Sequence, residues 1–201
     1  VTKVLFKLLP LPKMRGTIQI MFASLDDGCE TISKMLQSGI IPSAAEIMDD
    51  ISLGAVAKRN KMDLAPNVKS CIIIETDGDS QEALDEQAKR IEAVANACGA
   101  LAFRVAKDKA ESDELWTIRR TMSSAVSALA PNRLGEDISV PRSEFPKVVR
   151  LIKEISKKHN LTIAVFGHAG DGNLHPSVLC DMKNPAEAER AHKAVDDIFA
   201  A

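Results

Sequence analysis

The sequence predicts an α+β fold: a largely antiparallel sheet in a ferredoxin-like arrangement, with helices on one face. Three observations predict it. Strand-type alternation and helix-type spacing take turns along the 201 residues. The helical segments come singly and in pairs between the strands, which suits a doubly wound parallel sheet less well. A glycine-rich connector, Gly167 to Gly172, joins two apolar runs that can pair back as a hairpin.

Val1 to Leu9 reads as a strand that begins without any preceding turn. Pro10, Pro12, Lys13 and Gly16 form a turn, and Thr17 to Ser24 is a strand with Ile18, Ile20 and Phe22 on one face. Asp26 and Asp27 suit a helix start, Ile32, Met35 and Leu36 its apolar side, and Gly39 its end. Ser43 to Met48 is ambiguous between strand and helix, while Asp49-Asp50 caps a helix running to about Arg59. Cys71 to Glu75 is the continuous apolar run of a central strand, closed by Asp77 to Ser80. Leu84, Ala88, Ile91, Ala95 and Cys98 then keep helical spacing up to a left-handed cap at Gly99.

Leu101 to Val105 is a strand, and Glu111 to about Leu129 a helix carrying Leu115, Ile118, Met122, Ala125 and Val126 inward. Pro131 to Gly135 reads as a loop and Asp137 to Val140 as a short strand. Ser143 then caps a helix with Phe145, Val149, Ile152 and Ile155 inward. Leu161 to Phe166 and Asn173 to Cys180 are the hairpin strands, and a last helix starts near Pro185 and meets Ala200-Ala201 without a stop signal. Both ends read as cut from something longer.

Composition excludes several function classes. With 45% hydrophobic and 27% charged residues the chain can bury a core of its own, and a net charge of −2 offers polyanions no general attraction. Aromatic residues make up 3%, with no Tyr and one Trp, so stacking platforms for nucleic acid are hard to assemble. Cys29, Cys71, Cys98 and Cys180 are scattered without a C-x-x-C pair and read as free, mostly buried thiols. No apolar run spans a bilayer and no leader opens the chain, so a soluble, cytoplasmic protein is expected.

The stretch richest in chemistry is Gly167-His168-Ala169-Gly170-Asp171-Gly172-Asn173-Leu174-His175-Pro176. Three glycines in six residues mark a backbone that turns tightly or approaches another closely. If the flanking strands pair, the turn brings His168 and His175 together, and two convergent imidazoles suit a divalent transition metal. A plain hairpin whose histidines bond neighbouring carbonyls has the same spacing.

This run resembles the motif of the FAD-linked oxidase C-terminal region of glycolate oxidase subunits, D-lactate dehydrogenases and D-2-hydroxyglutarate dehydrogenases. Gly39-Ile40-Ile41-Pro42 through Glu46-Ile47-Met48-Asp49, Glu114-Leu115-Trp116-Thr117-Ile118-Arg119, and Glu136 to Arg142 support it in the same order. The resemblance implies that residues 1–201 form a substrate-binding cap domain, truncated at both ends, whose FAD is bound mainly by an absent domain. It implies an oxidoreductase that oxidises a 2-hydroxyacid such as D-lactate or glycolate to the 2-oxoacid by hydride transfer to FAD, inactive as this piece alone. By the same resemblance His168 and His175 are catalytic and ligate a divalent metal such as zinc. Arg119 holds the substrate carboxylate, Ser123 assists one turn further on, and Glu46 and Asn173 approach flavin or substrate. A guanidinium suits that carboxylate because it gives two parallel hydrogen bonds where Lys gives a point charge.

The sequence departs from the family pattern in places. A glycine-rich flavin-binding region, the Glu-His-Gly segment with the third metal ligand, and an Asn-Pro-Gly segment are absent. Leu134-Gly135-Glu136 stands where some relatives have a Lys for a second carboxylate, which makes a dicarboxylate substrate less expected. The implied partners are the chain's own FAD-binding domain and an electron-transfer subunit, and the face toward the former is expected to be apolar and prone to self-association. The alternative is a non-catalytic metal-binding or protein-interaction module.

Overall fold

The structure is a computed structural model that describes residues 1–8 and 10–201. Its centre is an eight-stranded sheet in the order β4-β1-β3-β2-β7-β8-β5, with β6 also pairing β8. The strands are β1 (Met14–Phe22), β2 (Ala44–Asp49), β3 (Ser70–Gly78), β4 (Ala100–Val105), β5 (Asn132–Gly135), β6 (Ile138–Ser139), β7 (Thr162–His168) and β8 (Asn173–Cys180). Every pairing is antiparallel. The helices are α1 (Leu25–Gln37), α2 (Asp50–Asn60), α3 (Gln81–Ala97), α4 (Lys109–Ser127), α5 (Phe145–His159) and α6 (Pro185–Ala200).

The α+β class and the antiparallel sheet are as the periodicities predict. Residues of α1, α3, α5 and α6 share one apolar layer with Ile18, Ile20, Ile72, Ile74, Ile163 and Val165. The other sheet face is covered as well, by α2 and α4 packed on Cys71, Ile73, Ala164 and Phe166. Two-sided burial is why β3 reads as an unbroken apolar run: Ile72 and Ile74 enter one layer, Cys71 and Ile73 the other. The inward residues expected of α4 are all buried: Leu115, Ile118, Met122, Ala125 and Val126. All four cysteines are free and buried.

Three local expectations are corrected and one ambiguity is resolved. Val1–Leu8 form no strand and are exposed, and Leu9 lies outside the described residues. The ambiguous segment after Ser43 is β2, nearly all buried between β3 and β7, where a helix has no room. Asn132–Gly135, expected as loop, is β5, because Leu134 and Arg133 find a ladder on Val178 and Leu179 of β8. Helix α5 is preceded by Glu144 without a side-chain cap bond, not capped by Ser143, since its start is already set by Pro146.

Candidate active site

The β7–β8 hairpin brings the two histidines together as the turn length predicts. His168 pairs with Asn173 and Phe166 with His175, so His175 lies diagonal to His168 on the same face. The imidazole centroids are 5.2 Å apart, edge to face. Two glycines permit this. A Cβ on Gly167 would sit 2.4 Å from the Asn173 carbonyl oxygen, so only glycine lets β8 approach. Gly172 closes the turn at φ +85°, a conformation L side chains rarely adopt.

Glu46, on β2 opposite His168, organises the centre. Its side chain is 7% exposed and both oxygens are engaged. Oε1 lies 2.6 Å from His168 Nδ1, and Oε2 accepts from Arg119 Nε on α4 at 2.6 Å. The network sets the tautomer: Nδ1 carries the hydrogen, and Nε2, 3.4 Å from Arg119 Nη2, keeps its lone pair. Arg119 also lies over the Phe166 ring, 5.7 Å from its centroid.

His175 meets the cluster through its ring contacts with His168 and Phe166 and faces Asp137, whose Oδ1 is 3.6 Å from His175 Nδ1. Asn173 Nδ2 donates to that oxygen at 2.8 Å, and Asn173 Oδ1 is buried without a partner. Burial holds the His175 pKa below its ordinary 6.5, against the upward pull of Asp137, with His168 and Arg119 pushing it further down. The unfolded chain therefore binds more protons than the folded one as pH falls through 6.5 toward the lower folded pKa. Stability is expected to drop across that acid window, and chemical denaturation at stepped pH should show a shallower drop in His175→Gln.

Ser123, expected to meet substrate, is occupied otherwise. Its Oγ and its carbonyl both accept from Arg133 Nη1, at 2.7 and 3.1 Å. Arg133 carries no sequence signal of its own, because Pro131 to Gly135 reads as a loop and becomes a strand only by pairing with β8. On β5 it also donates to Ser127 Oγ at 3.1 Å and Ser177 Oγ at 2.9 Å, and its guanidinium is 5.6 Å from the Phe166 centroid. Two guanidiniums thus flank one ring. Arg119 has Glu46 as counter-charge; Arg133 bonds only neutral oxygens among the described residues, and burial lowers its pKa. A half-buried cation without a counter-ion is a ready partner for an anion.

The described residues fit an implied metal only in part. A carboxylate behind each imidazole is the arrangement found behind metal-bound histidines. Among the described residues, however, no group of three or more metal-capable His, Cys, Asp or Glu side chains comes together. For FAD the observation is Asn173 Oδ1, an acceptor left without a donor. A separate cavity of about 750 Å³, lined by Arg15, Thr17, Asp108 and Trp116 among others, includes none of the six residues expected from the sequence.

A model of the FAD linked oxidases, C-terminal domain, matches residues 11–201. The chain belongs to this family. It is 34% identical over 199 residues to the glycolate oxidase subunit GlcD of Bacillus subtilis, covering 99% of this chain and 42% of that one. The GlcD of Escherichia coli is 30% identical, covering 96% and 38%. A probable mitochondrial D-lactate dehydrogenase of Danio rerio is 27% identical, covering 96% and 38%. The chain thus spans about two-fifths of the length of these relatives. Among solved structures, the 4-ethylphenol oxidase of Gulosibacter chungangensis superposes with a TM-score of 0.66 at 16% identity, over 96% of this chain and 45% of that one. P-cresol methylhydroxylase also gives 0.66, at 15% identity, over 97% and 44%. These two likenesses bear on the fold alone. No helix among the described residues is long and apolar enough to cross a membrane.

Proposed function

We propose that this chain is the substrate-binding cap domain of an FAD-dependent D-2-hydroxyacid oxidoreductase of the glycolate oxidase and D-lactate dehydrogenase kind. The observation that carries the reading is the cluster of Arg119, Glu46, His168 and His175 beside a second guanidinium, Arg133. The family relation supports it, and so does the order β4-β1-β3-β2 with α1 and α3 on one face, which we read as a ferredoxin-like first half.

In this reading Arg119 and Arg133 bind the anionic end of the substrate across Phe166. Glu46 works as a positioning residue: by holding Arg119 Nε and His168 Nδ1 it directs the free guanidinium nitrogens and His168 Nε2 toward one point. His168 Nε2 accepts the hydroxyl proton there, with Glu46 holding the ring in place through Nδ1. Asn173 offers Oδ1 to the flavin. When bound, FAD would supply the acceptor for the hydride that the substrate α-carbon gives up. A divalent metal such as zinc, held by His168 and His175 with other groups completing its shell, would instead lower the pKa of the substrate hydroxyl. Ser123 acts through Arg133. A dicarboxylate would instead divide the two cations, one carboxylate to each, despite the Leu134-Gly135-Glu136 sequence that follows Arg133.

The test is a titration of the chain with D-lactate, glycolate and D-malate, followed by the imidazole NMR signals of His168 and His175. All three are expected to shift those signals, and Arg133→Ala should weaken binding about tenfold or more, since a hydrogen bond to a charged group is worth about 1.5–3 kcal/mol. A spectrum indifferent to every 2-hydroxyacid would count against the reading.

A further inference from the structure

We propose that Ser123, Ser127 and Ser177 are positioning residues of this site: they hold Arg133 by neutral oxygens alone, so that its charge and its free nitrogen, Nη2, are left for a carboxylate of the ligand. The inference rests on the reading of Arg119 and Arg133 as the pair that binds the anionic end. Arg133 Nε donates to Ser177 Oγ at 2.9 Å, and Nη1 donates to Ser123 Oγ, Ser123 O and Ser127 Oγ at 2.7, 3.1 and 3.1 Å. These oxygens are all uncharged, and Nη2 bonds to none of the described residues. Arg119 differs, because Glu46 already meets its charge at 2.6 Å.

Three elements build this cage. Ser123 and Ser127 lie four apart on α4 and share a face near its C-terminal end, where the helix dipole supplies partial negative charge without a carboxylate. Ser127 Oγ donates its own hydrogen to Ser123 O at 2.9 Å, which turns a lone pair toward Nη1. Ser177 on β8 is fully buried, and its hydroxyl donates to the His175 carbonyl at 3.4 Å. On β5 itself, a Cβ on Gly135 would lie 3.2 Å from both Nε and Nη2, so glycine there gives the guanidinium room along its own strand. Held at Nε and Nη1, the guanidinium stays 5.6 Å from the centroid of Phe166, the ring that Arg119 approaches to 5.7 Å. A cation fixed in advance loses little freedom when an anion binds, and its charge strengthens the bond that Nη2 makes. An Asp in place of either serine of α4 would satisfy the guanidinium from within and withdraw it from the ligand.

The test titrates acetate and acetamide, alike in shape and different in charge, into the 201-residue chain at constant ionic strength. Binding is followed by the Arg133 Nε–H signal in NMR, assigned by its loss in Arg133→Lys, with circular dichroism to show that each variant folds. Acetate is expected to move the signal and acetamide to leave it in place. Ser123 and Ser127 are exposed, so both positions accept a larger side chain. Ser123→Asp and Ser127→Asp should each weaken acetate binding about tenfold or more. Ser123→Asn and Ser127→Asn, of the same size but neutral, should stay within about threefold of the unaltered chain. Equal losses in the Asp and Asn variants overturn the proposal, since shape and not charge would then matter. An Arg133 signal that acetate does not move overturns it as well. Because acetate has no hydroxyl, the outcome is separate from 2-hydroxyacid recognition: a chain that binds D-lactate as tightly in Ser123→Asp as without the substitution loses this inference and keeps the reading beneath it.

Discussion

Arg119→Ala is expected to cost the fold about 3 kcal/mol, the lower end of what removing one partner of a buried ion pair costs. Glu46 is 7% exposed in its side chain and Arg119 16%, so the carboxylate cannot turn to water when its guanidinium is removed. It keeps the bond to His168, which places the loss at the low end. The stacking of the guanidinium on Phe166 goes as well. Urea denaturation should show the midpoint falling at unchanged slope. Arg119→Lys should recover part of the stability, because an ammonium can still meet Glu46, yet it should not recover binding of 2-hydroxyacids, because it lacks the planar fork. A loss under about 1 kcal/mol in Arg119→Ala would mean that the pair behaves as an exposed one and that Glu46 is not organised by it.

The second large effect is expected at Gly167. An added Cβ meets the Asn173 carbonyl oxygen at 2.4 Å and Leu174 Cα at 2.8 Å, both backbone atoms of the facing strand. No rotamer change relieves such a contact, so β7 and β8 must separate locally. Gly167→Ala should therefore cost as much as or more than the 1–3 kcal/mol usual for overpacking. It should also pull the His168 and His175 rings away from their present 5.2 Å, visible as shifted imidazole resonances. Gly170→Ala is the control: its Cβ would lie 3.4 Å from Ala45 Cβ, a contact a small adjustment relieves, and its cost should be well under that of Gly167→Ala. Equal costs at the two positions would show that the hairpin tolerates separation and that the close approach does not hold the histidines.

These two sites also mark how far the sequence could be read. The glycine run announced a close approach and the meeting of His168 with His175, because a short turn between two apolar runs leaves few other geometries. Helical spacing placed Leu115, Ile118 and Met122 inward, and with them the side of α4 from which Arg119 reaches the cluster. What spacing could not supply was register. Glu46 is 73 residues from Arg119 and 122 from His168; the β2–β7 pairing joins it to His168, and the packing of α4 on the sheet brings Arg119 to it. Arg133 was hidden for the same reason: Asn132–Gly135 has no strand pattern of its own and becomes β5 by pairing with β8. Val1–Leu8 went wrong in the opposite direction, since an apolar alternating run needs a neighbouring strand and has none among the described residues. The second helical layer was legible in hindsight from Cys71–Ile74, whose unbroken apolarity requires cover on both sides.

The most direct measurement is anaerobic reduction of flavin in a protein where this chain replaces the matching region of the Bacillus subtilis glycolate oxidase subunit. The flavin absorbance is expected to bleach on addition of D-lactate or glycolate, and to persist when Arg119 is changed to Lys. A chimera that holds its flavin but is bleached by no 2-hydroxyacid would contradict the assignment of this domain to 2-hydroxyacid oxidation.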